Sequence, residues 1–165
     1  MIVKSGFPAI ADQQTRLFIL GSLPGERSLQ ELRYYAHPSN QFWKLVGAVV
    51  GEDLQSLDYA ARLSALRRHK IGLWDVVSAA RREGSGDQAI RYARHNDIGG
   101  LKLAYPKLRA IAFNGGLAAR EGARLLSGIE GVTLHSLPSS SAAHARVPLA
   151  DKARAWAVLR DYLQP

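Results

Sequence analysis

The sequence predicts an α/β fold: a three-layer sandwich in which a central, mostly parallel, four-stranded sheet is flanked by helices. Three observations carry this. Short apolar runs alternate with amphipathic stretches, the runs are continuously apolar rather than alternating, and each run ends in a polar or glycine-rich turn. Strands buried on both faces read as unbroken apolar runs, and alternation with helices is the mark of a parallel sheet.

The elements follow in order. Leu17 to Leu20 is an apolar run closed by Gly21 and Pro24-Gly25, a buried strand entering a tight loop. Phe42, Leu45, Val46 and Val49 fall on one helical face that ends near Gly51, and Tyr59, Leu63 and Leu66 suggest a second helix. Ile71 to Val77 is the next strand, followed by Arg81 to Asp87, which reads as a flexible surface loop. Ala110 to Phe113 is a third strand, closed by Asn114-Gly115-Gly116. Ala118, Gly122, Leu125 and Leu126 give a modest helical stripe, and Val132 to Leu137 is a fourth strand. Leu149, Ala153, Trp156, Leu159 and Leu163, spaced 4, 3, 3 and 4, form one apolar face of a last helix. Ligands of such sheets bind outside the carboxyl ends of the strands. Here those ends carry Gly21-Ser22-Leu23-Pro24-Gly25, Trp74-Asp75, Asn114-Gly115-Gly116 and Pro138-Ser139-Ser140-Ser141, which locates the expected site.

The 165 residues are expected to form one domain, residues 1–165 with a core from about 16 to 163. Lys and Arg number 22 against 14 Asp and Glu, a net charge of +8, and a field of that sign attracts polyanions, nucleic acid first. The chain has no Cys, which excludes a thiol nucleophile, a disulfide framework and Cys-rich metal sites, and fits the cytoplasm. Met1 to Gln14 reads as neither a signal peptide nor a membrane span. Dinucleotide, P-loop, GxSxG and HExxH motifs are missing, and the five His show no metal-ligand spacing. A monomer without metal or cofactor is expected.

The chain resembles the uracil-DNA glycosylase superfamily, and within it the hypoxanthine-DNA (deoxyinosine) glycosylase branch. The likeness rests on GSLPG at Gly21 to Gly25, HPSNQFW at His37 to Trp43, GLWDVV at Gly72 to Val77, FNGG at Phe113 to Gly116 and LPSSS at Leu137 to Ser141, in register at strand ends. It implies a monofunctional enzyme of base-excision repair that flips a deaminated base, hypoxanthine before uracil, and hydrolyses its glycosidic bond. The alternatives are a uracil or mismatch-specific uracil glycosylase and a catalytically weak module that binds or senses damaged DNA. Several branches carry a water-activating acidic or amide residue where this chain has Leu23, and His where it has Leu137. The resemblance implies Asn40 as the catalytic residue instead. It also implies a base pocket from Gly21, Ser22, Leu23, Pro24, Tyr35, His37, Phe42, Asp75 and Asn114.

Each assignment has a plainer structural reading beside it. A carboxamide oxygen on Asn40 can orient water towards C1′, yet Asn before a helix is also a favoured cap. An ionised Asp75 has acceptors only, so it can accept from the N1–H of hypoxanthine and repel adenine, or it caps a local turn. Tyr34, Tyr35, Phe42 and Trp43 suit a stacking wall for a flipped purine, although Phe42 also begins a core stripe. Gly25, Ser139, Ser140, Ser141 and His144 are candidate DNA contacts, with the serines equally suited to capping. Arg67, Arg68, Lys70, Arg81, Arg82, Arg91 and Arg94 are candidate phosphate contacts or ordinary surface charge, Arg81 and Arg82 the first choice.

Overall fold

The computed structural model describes residues 2–165. In chain order the elements are β1 (Val3–Ser5), β2 (Leu17–Gly21), α1 (Glu26–Glu31), α2 (Phe42–Val50), α3 (Tyr59–Arg68), β3 (Ile71–Asp75), β4 (Val77–Arg81), β5 (Arg91–His95), α4 (Leu101–Ala104), β6 (Ala110–Asn114), α5 (Gly116–Leu125), β7 (Thr133–Leu137) and α6 (Leu149–Trp156), with 3-10 turns at Asp87–Ala89, Ile98–Gly100 and Ala157–Tyr162. The central sheet has the order β3-β2-β6-β7, and every pairing in it is parallel.

Strand periodicity explains the two cores. Leu17 and Ile19 of β2 point to one face of the sheet with Ile71, Leu73, Ala110 and Ala112; α2, α3 and α6 cover that face through Phe42, Val46, Leu66 and Trp156. Phe18 and Leu20 point to the other face with Ile111 and Phe113, where Leu101, Ala118 and Leu126 cover them. Phe18, Phe42 and Trp156 are wholly buried, and each such side chain contributes about 2 to 3 kcal/mol of transfer free energy. Gly72 in β3 admits the Phe18 ring, since a Cβ there would lie 2.8 Å from Phe18 Cε1.

The expected parallel sheet and its flanking helices are all present. The strand expected over Ile71 to Val77, however, divides at Val76: β3 stays in the central sheet, and β4 joins β1 and β5 in a second, antiparallel sheet of three short strands. The last helix holds α-geometry only to Trp156 and tightens to a 3-10 turn through Tyr162. The topology also fixes where a ligand can sit. From β2 the chain moves outward to β3, then returns past β2 to β6, so the connections leave the carboxyl ends of adjacent β2 and β6 in opposite directions. A crevice opens at such a switch point.

Candidate active site

At that crevice lies a cavity of about 600 Å³, lined by the loops after β2, β6 and β7, by Asp75 at the end of β3 and by Tyr34, Tyr35, His37, Ser39 and Asn40. A separate groove of about 510 Å³ beside Arg33, Tyr59 and Arg62 shares only Tyr34 with it and receives no strand end but the loop before α3.

One serine ties the cavity wall together. Asn114, the last residue of β6, accepts from the Ser140 N–H through Oδ1 (2.8 Å) and donates from Nδ2 to Ser140 Oγ (2.9 Å). Ser140 Oγ then donates to Asn40 Oδ1 (2.8 Å), and the Ser140 carbonyl accepts from Gln41 N–H (2.9 Å). Asn40 Oδ1 also accepts from Phe42 N–H (3.0 Å). Asn40 thus holds the first turn of α2 from the residue before its cap, Gln41, and also lines the cavity, but with a correction to the expected chemistry. Both lone pairs of Oδ1 are taken, which fixes the amide orientation and leaves the Nδ2 donor as the unpaired end at the cavity wall. Ser140 is buried, so it is a framework residue rather than a phosphate contact. Behind it, the buried Lys152 donates to Gln41 Oε1 (2.9 Å) and the Ser141 carbonyl (3.2 Å), and burial lowers its pKa. Trp156 Nε1 holds the Pro138 carbonyl at 3.0 Å. Helix α6 thereby carries the serine loop.

Asp75 is 4 % exposed, and its Oδ2 has no hydrogen-bond partner among the described residues. Burial first, and the charge of Asp87 second, push its pKa up to about 7. The expected fully ionised acceptor is thus a group in which acid and carboxylate are both populated near neutrality. Gly21 makes its room: a Cβ there would stand 2.7 Å from Asp75 Oδ1 and 3.0 Å from Tyr35 Oη. Tyr35 adopts φ 53°, the left-handed region disfavoured for a bulky residue. Its ring lies flat on Phe42 (3.8 Å, 8°), and its hydroxyl accepts from Asn114 Nδ2 (3.3 Å).

Of the residues foreseen for the base pocket, Gly21, Ser22, Leu23, Pro24, Tyr35, His37, Asp75 and Asn114 line the cavity together with Asn40. Phe42 does not; it is wholly buried beneath Tyr35, and Trp43 is also core, so of the four aromatic residues expected to form a stacking wall only Tyr34 and Tyr35 line the cavity. Gly25, Ser139, Ser141 and His144 reach the cavity as well. Arg82 is corrected. Its side chain is 1 % exposed and donates to the carbonyls of Leu23, Pro24 and Gly84, bracing the Gly21–Gly25 loop from behind instead of facing a phosphate. Arg81 is exposed over the Tyr92 ring. Arg67, Arg68 and Lys70 precede β3, at the end of the sheet opposite the cavity, and Arg68 pairs with Glu52.

Composition had concealed a further wall. The stretch read as a surface loop folds over the cavity, with Ser85, Gly86, Asp87 and Gln88 in its lining. Lys4 Nζ fastens it at the Gly84 carbonyl (2.8 Å), Ser85 Oγ accepts from Glu26 N–H (2.9 Å), and Ser22 Oγ donates to Asp87 Oδ1 (2.6 Å).

The geometry is that of a doubly wound α/β protein with a cavity of about 600 Å³ at its switch point, and comparison with known proteins gives the class. The profile of the uracil DNA glycosylase superfamily matches residues 7–160. A hypoxanthine DNA glycosylase of Methanosarcina acetivorans is 48 % identical over 145 residues, covering 88 % of this chain and 90 % of that protein. A hypoxanthine DNA glycosylase of Methanosarcina barkeri is 50 % identical over 112 residues, covering 68 % of this chain and 71 % of its own. A solution NMR structure from Methanosarcina acetivorans superposes with a TM-score of 0.87 at 44 % identity, covering 99 % of this chain and all of the other. The chain belongs to the uracil DNA glycosylase superfamily.

Proposed function

We propose that the protein is a monofunctional DNA glycosylase that takes hypoxanthine flipped out of DNA and hydrolyses its N-glycosidic bond. The observation that carries the base choice is Asp75: a buried carboxyl group with an unpartnered oxygen, beside a residue without a side chain, on the cavity wall. Hypoxanthine brings an N1–H to such an acceptor, whereas adenine brings a lone pair, so adenine is rejected by a buried mismatch. Two relatives at about half identity named hypoxanthine DNA glycosylase support the same substrate.

The purine enters against the Tyr35 ring, whose other face rests on Phe42. Asn40 turns Nδ2 to the bound nucleotide and stabilises charge that develops as the base departs. Ser139, Ser141, His144, the Gly25 backbone and Arg81 are the proposed DNA contacts. Work on DNA in a cytoplasmic compartment accords with the +8 charge and the lack of cysteine. No helix among the described residues is long and apolar enough to cross a membrane.

The deciding experiment incubates the protein with duplexes carrying one deoxyinosine, one deoxyuridine or neither, then scores alkali-sensitive abasic sites. Cleavage at inosine above uracil is expected. Cleavage at uracil alone moves the substrate, and binding without cleavage makes the protein a damage sensor.

A further inference from the structure

Hydrolysis needs a hydrogen-bond acceptor for the attacking water near the sugar, and several acceptors of the cavity wall are already engaged. Asn40 Oδ1 is filled by Phe42 N–H and Ser140 Oγ–H. Asn114 Oδ1 holds the Ser140 N–H. Leu23 is apolar and packs on Val77 and Ala80. Glu26 pairs with Lys4 at 2.9 Å. Asp75 is buried where the base edge is read. Asp87 differs from all of these. It is exposed on the cavity wall, Ser22 Oγ–H holds its Oδ1 at 2.6 Å, and its Oδ2 has no partner among the described residues. The segment presenting it is fastened by Arg82, by Lys4 on Gly84 and by Ser85 on the first turn of α1, so the carboxylate is positioned before substrate arrives.

We propose that Asp87, oriented by Ser22, is a catalytic carboxylate of this glycosylase. Asp75 inside the cavity and Asp87 towards solvent divide the nucleotide between them, base edge to the first and sugar to the second. Asp87 accepts a hydrogen bond from the water beside C1′, and its charge opposes the positive charge that grows on the sugar. As the C1′–N9 bond breaks, its electron pair leaves with the purine. The water oxygen bonds to C1′, its proton passes to Asp87, and that proton reaches the purine anion through solvent. One water is consumed, an abasic sugar and neutral hypoxanthine result, and nothing is oxidised or reduced. Ser22 is a positioning residue, because it acts through Asp87.

The inference rests on the glycosylase reading, and the experiment separates the two. Single-turnover release of hypoxanthine from an inosine duplex is measured for the wild type, Asp87→Asn, Asp87→Ala and Ser22→Ala. Affinity is measured in parallel on a duplex whose inosine carries a 2′-fluoro group that blocks cleavage. Both Asp87 variants are expected to be slower by about 100-fold or more, the scale of a lost proton acceptor, with melting temperature and affinity unchanged, and Ser22→Ala by roughly 10-fold. Added formate, a small carboxylate, is expected to restore part of the rate to Asp87→Ala, where there is space for it, and none to Asp87→Asn. Rates of both Asp87 variants within about 3-fold of wild type, or a rate loss matched by an equal loss of affinity, would overturn the assignment while leaving the glycosylase intact. A wild type that releases no base from any duplex overturns both.

Discussion

Asn40 is proposed to carry two jobs on one amide, and its two ends can be tested separately. Asn40→Asp keeps the Oδ1 acceptor for Phe42 and Ser140 but exchanges the free donor for a second acceptor. It should melt near the wild-type temperature and release hypoxanthine about 100-fold more slowly, as expected for a lost transition-state donor. A rate within a few-fold of wild type would reduce Asn40 to a cap. Asp75 makes a prediction in pH. Its pKa rises from 3.8 to about 7 on folding, so the folded state holds the proton more tightly. That contribution to stability is complete below about pH 4, is lost as pH rises through 7, and is flat above. Urea midpoints of the wild type should fall between pH 5 and 8, and Asp75→Asn, which cannot titrate, should remove roughly 2 to 3 kcal/mol of that fall. If the carboxylate is the acceptor for the base, as proposed, kcat/KM on inosine should rise through about pH 7 in the wild type and flatten in Asp75→Asn. A wild-type profile flat over that range would mean Asp75 does not read the base.

At the level of the element, the sheet and its long helices were legible because burial on both faces leaves continuous apolar runs such as Leu17 to Leu20. The second sheet was not, since β5 is almost wholly exposed and Arg91-Tyr92-Ala93-Arg94-His95 carries no core signal. Helix α1 buries only Ser28, so it had no apolar stripe to show. The same gap hid Asp87: a polar stretch held by hydrogen bonds from Ser22 and Lys4 and by Arg82 looks, by composition, like any solvated loop. Arg81 and Arg82 are neighbours with one charge and opposite fates. Arg82→Ala leaves the Leu23 and Pro24 carbonyls without this donor, and the Gly84 carbonyl with Lys4 alone, and should cost about 2 to 4 kcal/mol in chemical denaturation. Arg81→Ala should leave stability within about 0.5 kcal/mol and, if it meets a phosphate, lower the log K against log salt slope by about 0.9. An Arg82→Ala protein as stable as wild type would mean that Arg82 does not brace the Gly21–Gly25 loop.

Across the whole molecule, the site was legible to the extent that it follows the strand ends. Gly21, Asp75, Asn114 and Ser139 to Ser141 were placed by topology, and topology is written in the order of apolar runs. What the sequence could not show were pairings between distant segments, such as Ser22 with Asp87 or Lys152 with Gln41, which no local spacing records. The net charge of +8 is likewise a property of the sum, whereas its placement is divided between the β4–β5 side and the opposite end of the sheet.

The serine that joins Asn40 to Asn114 has a temporal consequence. Its partners lie 100 and 26 residues away along the chain, and it stands after the last strand, on a loop carried by the last helix. On a chain made from its N-terminus these residues are among the last to be supplied, and the contact they make must offset the entropy of closing loops of that length. A chain that still lacks its last strand or helix therefore has no Ser140 bridge, and its Asn40 amide is without the partner that orients it. That amide is set only in the finished fold.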